Sequence, residues 1–191
     1  MTLSLLPNVL TIFRMIVVGP IVYTLLTGQF VAAFYLAMAA AASDLLDGYL
    51  ARRFGWMTHW GGVLDPLADK LLLVSTTLTL AWLGHLPWWL VVLIVVRDVT
   101  IVVGGYYYHF RIARLVTATP TQFSKWNTLC QILLVVSVML ALAFPQWAGP
   151  WTTWLVYLTA VTTLASGLHY VVIWSQKAKH ERGRKRVGER A

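Results

Sequence analysis

Negative charge and sulfur chemistry are nearly missing from this chain. A lone cysteine, Cys130 in an apolar run, rules out an intrachain disulfide and suggests no redox chemistry. The five histidines, at 59, 85, 109, 169 and 180, show no ligand-like pairing, so none is a strong catalytic candidate; His59, in a polar connection, is placed to touch a headgroup. Charged residues make up only 12% of 191 positions, and 59% are hydrophobic with ten Trp spread throughout, which excludes an ordinary soluble domain and reads as one polytopic membrane domain. The formal charge of +8 calls for an anionic partner. Because the basic residues lie in short connections and a tail beside apolar runs, that partner is a surface of anionic lipid headgroups and not nucleic acid. No internal repeat or low-complexity segment is present.

What is there is six long apolar stretches. They run from about 9 to 27, 30 to 52, 61 to 83, 88 to 109, 123 to 144 and 151 to 174, separated by turns at 28–29, 84–87 and 145–150 and by polar connections at 53–60 and 111–120. The expected fold is therefore an all-α integral membrane protein with six transmembrane helices over 1–176, followed by a mobile basic cytoplasmic tail over 177–191. Gly19-Pro20 interrupts the first stretch near its middle. Met1 to Asn8 lacks the cationic start of a cleavable signal and reads as an interfacial lead-in. Arg52, Arg53, Arg111, Arg114, Lys125 and the tail fall on one side of six spans, while the three opposite turns carry no Lys or Arg. The positive side is the cytoplasmic one. Trp88, Trp89, Trp147, Trp151 and Trp154 cluster by the opposite turns as interfacial anchors.

Four of the seven acidic residues, Asp44, Asp47, Asp65 and Asp69, fall within one short region of this apolar chain. Spacings of three and four put Asp44 with Asp47, and Gly61 with Asp65 and Asp69, on single faces of two helices, so the carboxylates can converge. Each carboxylate near a bilayer centre costs roughly 2.5–3.5 kcal/mol, and bound divalent cations, hard ions that favour oxygen ligands, would offset that cost. Gly48, Ala51 and Gly61 leave room for a bulky ligand or a neighbouring backbone. Arg52 can offer a fork of donors to a phosphate. Arg14 either snorkels to the near interface or faces inward toward a phosphate, and Arg97 either pairs with Asp98 or lines a polar cavity. Lys70, beside Asp69, reaches headgroups by default.

The spacing Asp44-x2-Asp47-Gly48-x2-Ala51-Arg52-x8-Gly61-x3-Asp65-x3-Asp69 resembles, at every fixed position, the signature of the CDP-alcohol phosphatidyltransferase family. Further blocks extend the likeness over nearly the whole chain: Leu6 to Arg14, Leu64 to Lys70, Arg97-Asp98, and Ser124 to Thr128 with Gln131. The resemblance implies two divalent cations, Mg2+ or Mn2+, held by Asp44, Asp47, Asp65 and Asp69, with Asp69 as the base that takes the proton of the attacking hydroxyl. It implies contacts to CDP-diacylglycerol from Gly48, Ala51, Arg52 and Gly61, with CMP leaving, and a homodimer in the membrane.

For the acceptor, Arg97-Asp98 and the Ser-Lys-x-Asn-Thr opening of the fifth span look more like the cardiolipin synthases of the family, whose acceptor is phosphatidylglycerol. The alternative is a phosphatidylglycerophosphate synthase, which uses glycerol 3-phosphate and more usually shows Arg-Glu and Lys-x-Lys-Thr. A dianionic acceptor favours an added cation, and Asn127 stands where a lysine would supply it. Arg97 and Lys125, then Arg14, Arg111 and Arg114, are the basic residues available to hold the acceptor's phosphate. With no Ser- and Arg-rich leader, a bacterial cytoplasmic membrane is the expected home, the site facing the cytoplasm. A lipid-binding scaffold and a transporter are the non-enzymatic alternatives; carboxylates near one face rather than the midplane disfavour transport.

Overall fold

In a computed structural model the backbone is described over residues 6–54, 61–111 and 122–188, with side chains described over 12–43, 67–104, 122–170 and at 172. Within these residues the regular structure is helical, apart from turns. The helices are α1 (Leu6–Leu26), α2 (Phe30–Phe54), α3 (Gly61–Trp82), α4 (Trp88–Arg111), α5 (Gln122–Ala143) and α6 (Trp151–Gly188), with a short 3-10 turn at Pro145–Trp147 between the last two. Each of the six apolar stretches has become one helix.

Helix ends follow local chemistry. Gly28 and Gly84 adopt positive φ, 73° and 79°, which only glycine takes at little cost. Around the first, Gly28 N–H donates to Leu25 O at 3.1 Å and Gln29 N–H to Thr24 O at 2.8 Å; around the second, Gly84 donates to Ala81 O at 3.0 Å and His85 to Leu80 O at 2.9 Å. These paired bonds terminate α1 and α3 in Schellman motifs and reverse the chain within a few residues. Gly19-Pro20 does not end α1, which continues through it to Leu26.

The sixth helix differs from expectation. Instead of stopping near Trp174, α6 runs on through the basic segment to Gly188, a length of 38 residues or roughly 57 Å. Lys, Arg, Gln, Glu and Ala, good helix formers, make up most of 176–186, and Gly183 lies among them without ending the helix.

The chain divides into two compact units, Met1–Pro87 with Ile132–Thr152, and Trp88–Gln131 with Thr153–Ala191. In the first, α1 packs against both α2 and α3. Its buried stripe is Arg14, Val17, Val18, Ile21 and Leu25, a three-and-four spacing, while Ile12, Phe13, Ile16, Tyr23 and Leu26 point outward. Ala33 and Ala40 of α2 are fully buried small residues that allow close approach. In the second unit the interior is unusually polar. Arg97 and Asp98 of α4, Asn127 and Gln131 of α5, and Thr159, Thr163 and Ser166 of α6 are all buried, whereas Val92, Val96, Val99, Trp126, Leu129, Tyr157, Val161, Leu164 and Leu168 are exposed.

Polar groups inside and large apolar groups outside are the reverse of a water-soluble surface, on which a contiguous apolar area of this extent is rare. Among the described residues, Gln122–Ala143 is long and apolar enough to cross a membrane by length and composition; Ile12–Leu26 and Phe30–Ser43 are shorter apolar segments. Trp88, Trp89, Trp147, Trp151 and Trp154 are exposed, and Trp89 stacks on Tyr157 with ring centroids 6.5 Å apart.

Candidate functional site

Helical backbone runs through both halves of the acidic motif. Asp44, Asp47, Gly48, Ala51 and Arg52 lie on α2, and Gly61, Asp65 and Asp69 lie on α3. Since both segments are helices, the spacing of three and of four does put each set on one face. Asp69 is the member whose side chain is described. The side chains of Asp44, Asp47, Ala51, Arg52 and Asp65, like the surroundings of Gly48 and Gly61, lie outside the described residues.

Asp69 is half-exposed, its side chain 51% accessible, and accepts a hydrogen bond and ion pair at Oδ1 from Nη1 of Arg14, whose side chain is 1% accessible. The open alternatives for Arg14 therefore resolve toward the inward one. It is fully buried on the α1 stripe that packs on α3, it does not snorkel, and the group it meets is a carboxylate. A cation buried there is tolerated because an opposite charge sits against it. Ala68, beside Asp69, is fully buried, so the helix is anchored immediately before a carboxylate that remains accessible. An accessible carboxylate whose one flank is held by a guanidinium suits either a hard cation such as magnesium or manganese or a proton. Among the described residues no group of three or more His, Cys, Asp or Glu comes together.

In the second unit Arg97 is the hub. Its Nη1 donates to Asp98 Oδ1 at 2.8 Å; Nη2 donates to Ser124 Oγ at 2.7 Å and to Ser166 Oγ at 2.7 Å, and Nε donates to Ser166 Oγ at 3.3 Å. Arg97 and Asp98 are 6% and 8% exposed, so the ion-pair reading of this arginine holds, and its other donors are taken up by serines in a buried polar seam. One turn along α5, Asn127 Oδ1 lies 2.8 Å from Thr163 Oγ1 and 3.1 Å from Thr162 Oγ1. Thr159 Oγ1 donates to the carbonyl of Cys130 at 3.3 Å, which ties α6 to the same face of α5. Cys130 itself is buried, as a packing residue would be.

Among the other basic residues singled out from the sequence, Lys125 is exposed on the first turns of α5, Arg111 ends α4 with a side chain outside the described residues, and Arg114 and His59 lie wholly outside them. The α6 hydroxyls escaped sequence reasoning. Thr159, Thr162, Thr163 and Ser166 recur at three and four, a spacing that marks one polar face within an otherwise apolar stretch.

These are features of a recognisable class. The model of the CDP-alcohol phosphatidyltransferase family matches residues 4–177, and the chain belongs to that family, whose members are membrane-associated transferases of phospholipid synthesis. It is 35% identical over 87% of its length to a protein of Drosophila melanogaster named probable cardiolipin synthase (CMP-forming), and 30% identical over 86% to human cardiolipin synthase (CMP-forming). To a Mycobacterium tuberculosis protein named probable phosphatidylglycerophosphate synthase it is 38% identical over 51% of its length. The chain spans 56%, 60% and 50% of these three proteins respectively, a little over half of each on average.

Proposed function

We propose that this protein transfers a phosphatidyl group from CDP-diacylglycerol to a hydroxyl of phosphatidylglycerol, giving cardiolipin and CMP. The observation that carries the reading is Asp69, an accessible carboxylate on the helical second half of the motif, held on one side by a buried arginine. It is supported by likeness to proteins named cardiolipin synthase over most of the chain. In this scheme the acceptor oxygen forms a bond to the phosphorus that bears the diacylglycerol, the bond from that phosphorus to the bridging oxygen breaks, and CMP leaves with that oxygen. Asp69 takes the proton from the attacking hydroxyl. Arg14 fixes the carboxylate's direction.

Asp44, Asp47, Asp65 and Asp69 would hold two divalent cations, magnesium or manganese, which supply charge neutralisation for the diphosphate when bound. Gly48, Ala51 and Gly61 leave space for the nucleotide, and Arg52 binds a phosphate of it. Arg97 and Lys125 serve the acceptor, Arg97 by organising the seam around it and Lys125 by meeting the phosphodiester; Arg14, Arg111 and Arg114 are secondary candidates. All six helices cross the bilayer in this reading, the positive connections and the basic end of α6 lie on the cytoplasmic side of a bacterial membrane, and two copies pair. The region 1–176 forms the catalytic domain.

Glycerol 3-phosphate is the second acceptor to consider, because the mycobacterial protein named for that product has the higher identity over the half it matches. Purified protein given CDP-diacylglycerol with magnesium or manganese, and phosphatidylglycerol or glycerol 3-phosphate in parallel, decides the matter. Cardiolipin and CMP are expected from the first pair. Phosphatidylglycerophosphate alone would replace the acceptor, and no CMP from either would favour a lipid-binding scaffold.

A further inference from the structure

The polar seam of the second unit carries more hydrogen-bonding capacity than it uses. Asn127 and Gln131, 0% and 4% exposed, lie four apart on α5 and so on one face. Among the described residues neither Nδ2 of Asn127 nor Nε2 of Gln131 has a hydrogen-bond partner. A buried donor left unmade costs more than an ordinary hydrogen bond returns, so packing alone gives no reason for two such groups within one turn.

Counting hydrogens narrows what is missing. Thr162 and Thr163 have one hydroxyl hydrogen each, and each lies within reach of two acceptors: Asn127 Oδ1, and the carbonyl of Thr159 at 3.1 and 2.6 Å. When the hydroxyls donate to Asn127, its amide nitrogen is left over. When they donate to Thr159, Asn127 turns its nitrogen toward them and its oxygen is left over. A partner that serves either arrangement accepts in one and donates in the other. A phosphate oxygen can do only the first, whereas an alcohol does both. Gln131 adds a second donor beside it. Ser124, half-buried, lies three residues before Asn127, so 124, 127 and 131 form a polar line along one face of α5.

We propose that Asn127 and Gln131 are acceptor-specificity residues that hold the vicinal hydroxyls of a glyceryl headgroup. The inference rests on the phosphatidyl-transfer reading above and adds to it which part of the acceptor is recognised. Phosphatidylglycerol and glycerol 3-phosphate both present this diol, and the experiment separates them. Initial rates of CMP release by the purified full-length chain are measured with phosphatidylglycerol and with the matching phosphatidyl-1,3-propanediol, which lacks the secondary hydroxyl. Glycerol 3-phosphate and 3-hydroxypropyl phosphate form the soluble pair.

For whichever pair is turned over, wild type should show a KM about ten-fold or more higher for the acceptor lacking the hydroxyl. Gln131→Leu should raise KM for the glyceryl acceptor by about ten-fold, leave KM for CDP-diacylglycerol unchanged, and narrow the gap between the two acceptors. Asn127→Leu should do the same, and if it fails to fold the wild-type comparison and Gln131→Leu still decide. Equal use of both acceptors by wild type, or undiminished discrimination in Gln131→Leu, means that the amides hold a buried water and overturns the assignment. Absence of CMP with every acceptor overturns the reaction and this inference with it, an outcome distinct from the former because there CMP appears.

Discussion

Ser166→Ala should weaken the fold more than any other removal of a single hydroxyl from the second unit. Ser166 Oγ is fully buried and is the acceptor for two N–H groups of Arg97, at 2.7 and 3.3 Å, while Arg97 is itself 6% exposed. Truncation leaves part of a buried guanidinium without an acceptor. Hydrogen bonds to charged groups contribute about 1.5–3 kcal/mol in soluble proteins, and uncharged ones within membranes average about 0.6. The 3.3 Å bond adds little, so the expected loss is about 2 kcal/mol. In a chain of this length that corresponds to a fall of about 4–8 °C in the midpoint of thermal unfolding in detergent. Ser124→Ala is the internal control. It also removes a 2.7 Å bond to Arg97, but Ser124 is half-buried and water can replace it, so the expected loss is about 0.5–1 kcal/mol. Because both serines serve one guanidinium, the double variant should depart from additivity. A Ser166→Ala midpoint equal to or above that of Ser124→Ala would show that the guanidinium is not held in this way.

Other expectations concern the reaction and the helix ends. Asp69→Asn should lower CMP release by about 10²–10⁴-fold with expression and most CDP-diacylglycerol binding retained, since a base is lost while other carboxylates remain; undiminished turnover removes Asp69 from its role. Chelation of divalent cations should abolish CMP release and added magnesium or manganese restore it, and activity persisting in chelator would exclude the metal-dependent scheme. Gly28→Ala and Gly84→Ala force a side chain into positive φ, at a cost of about 1–2 kcal/mol each, seen as lower unfolding midpoints with unchanged KM values. A larger loss at Gly19→Ala, where nothing lies within 4 Å of an added Cβ, would contradict that conformational argument.

Periodicity and composition by themselves determined a great deal about this protein. Runs of apolar residues punctuated by Gly28-Gln29 and Gly84 to Pro87 located five helices, and the start of the sixth, to within a few residues, because glycine at positive φ and the Schellman bonds it allows are local properties of the chain; only the far end of α6 ran past its apolar stretch. The spacing of Asp44, Asp47, Asp65 and Asp69 resembles the family's signature, and a helix turns three and four residues into a face without help from the rest of the fold.

Partner choice among polar side chains was another matter. Whether Arg14 reached headgroups or turned inward depended on α1 packing on α3, which brings it to Asp69, a residue 55 positions away. That Arg97 serves Ser124 and Ser166 besides Asp98, and that Asn127 meets Thr162 and Thr163 while Gln131 Nε2 meets nothing among the described residues, came only from α4, α5 and α6 enclosing one seam. Hydrogen bonds inside a low-dielectric interior are decided by which donors and acceptors packing encloses together, and that pairing is tertiary; the sequence supplies only the inventory.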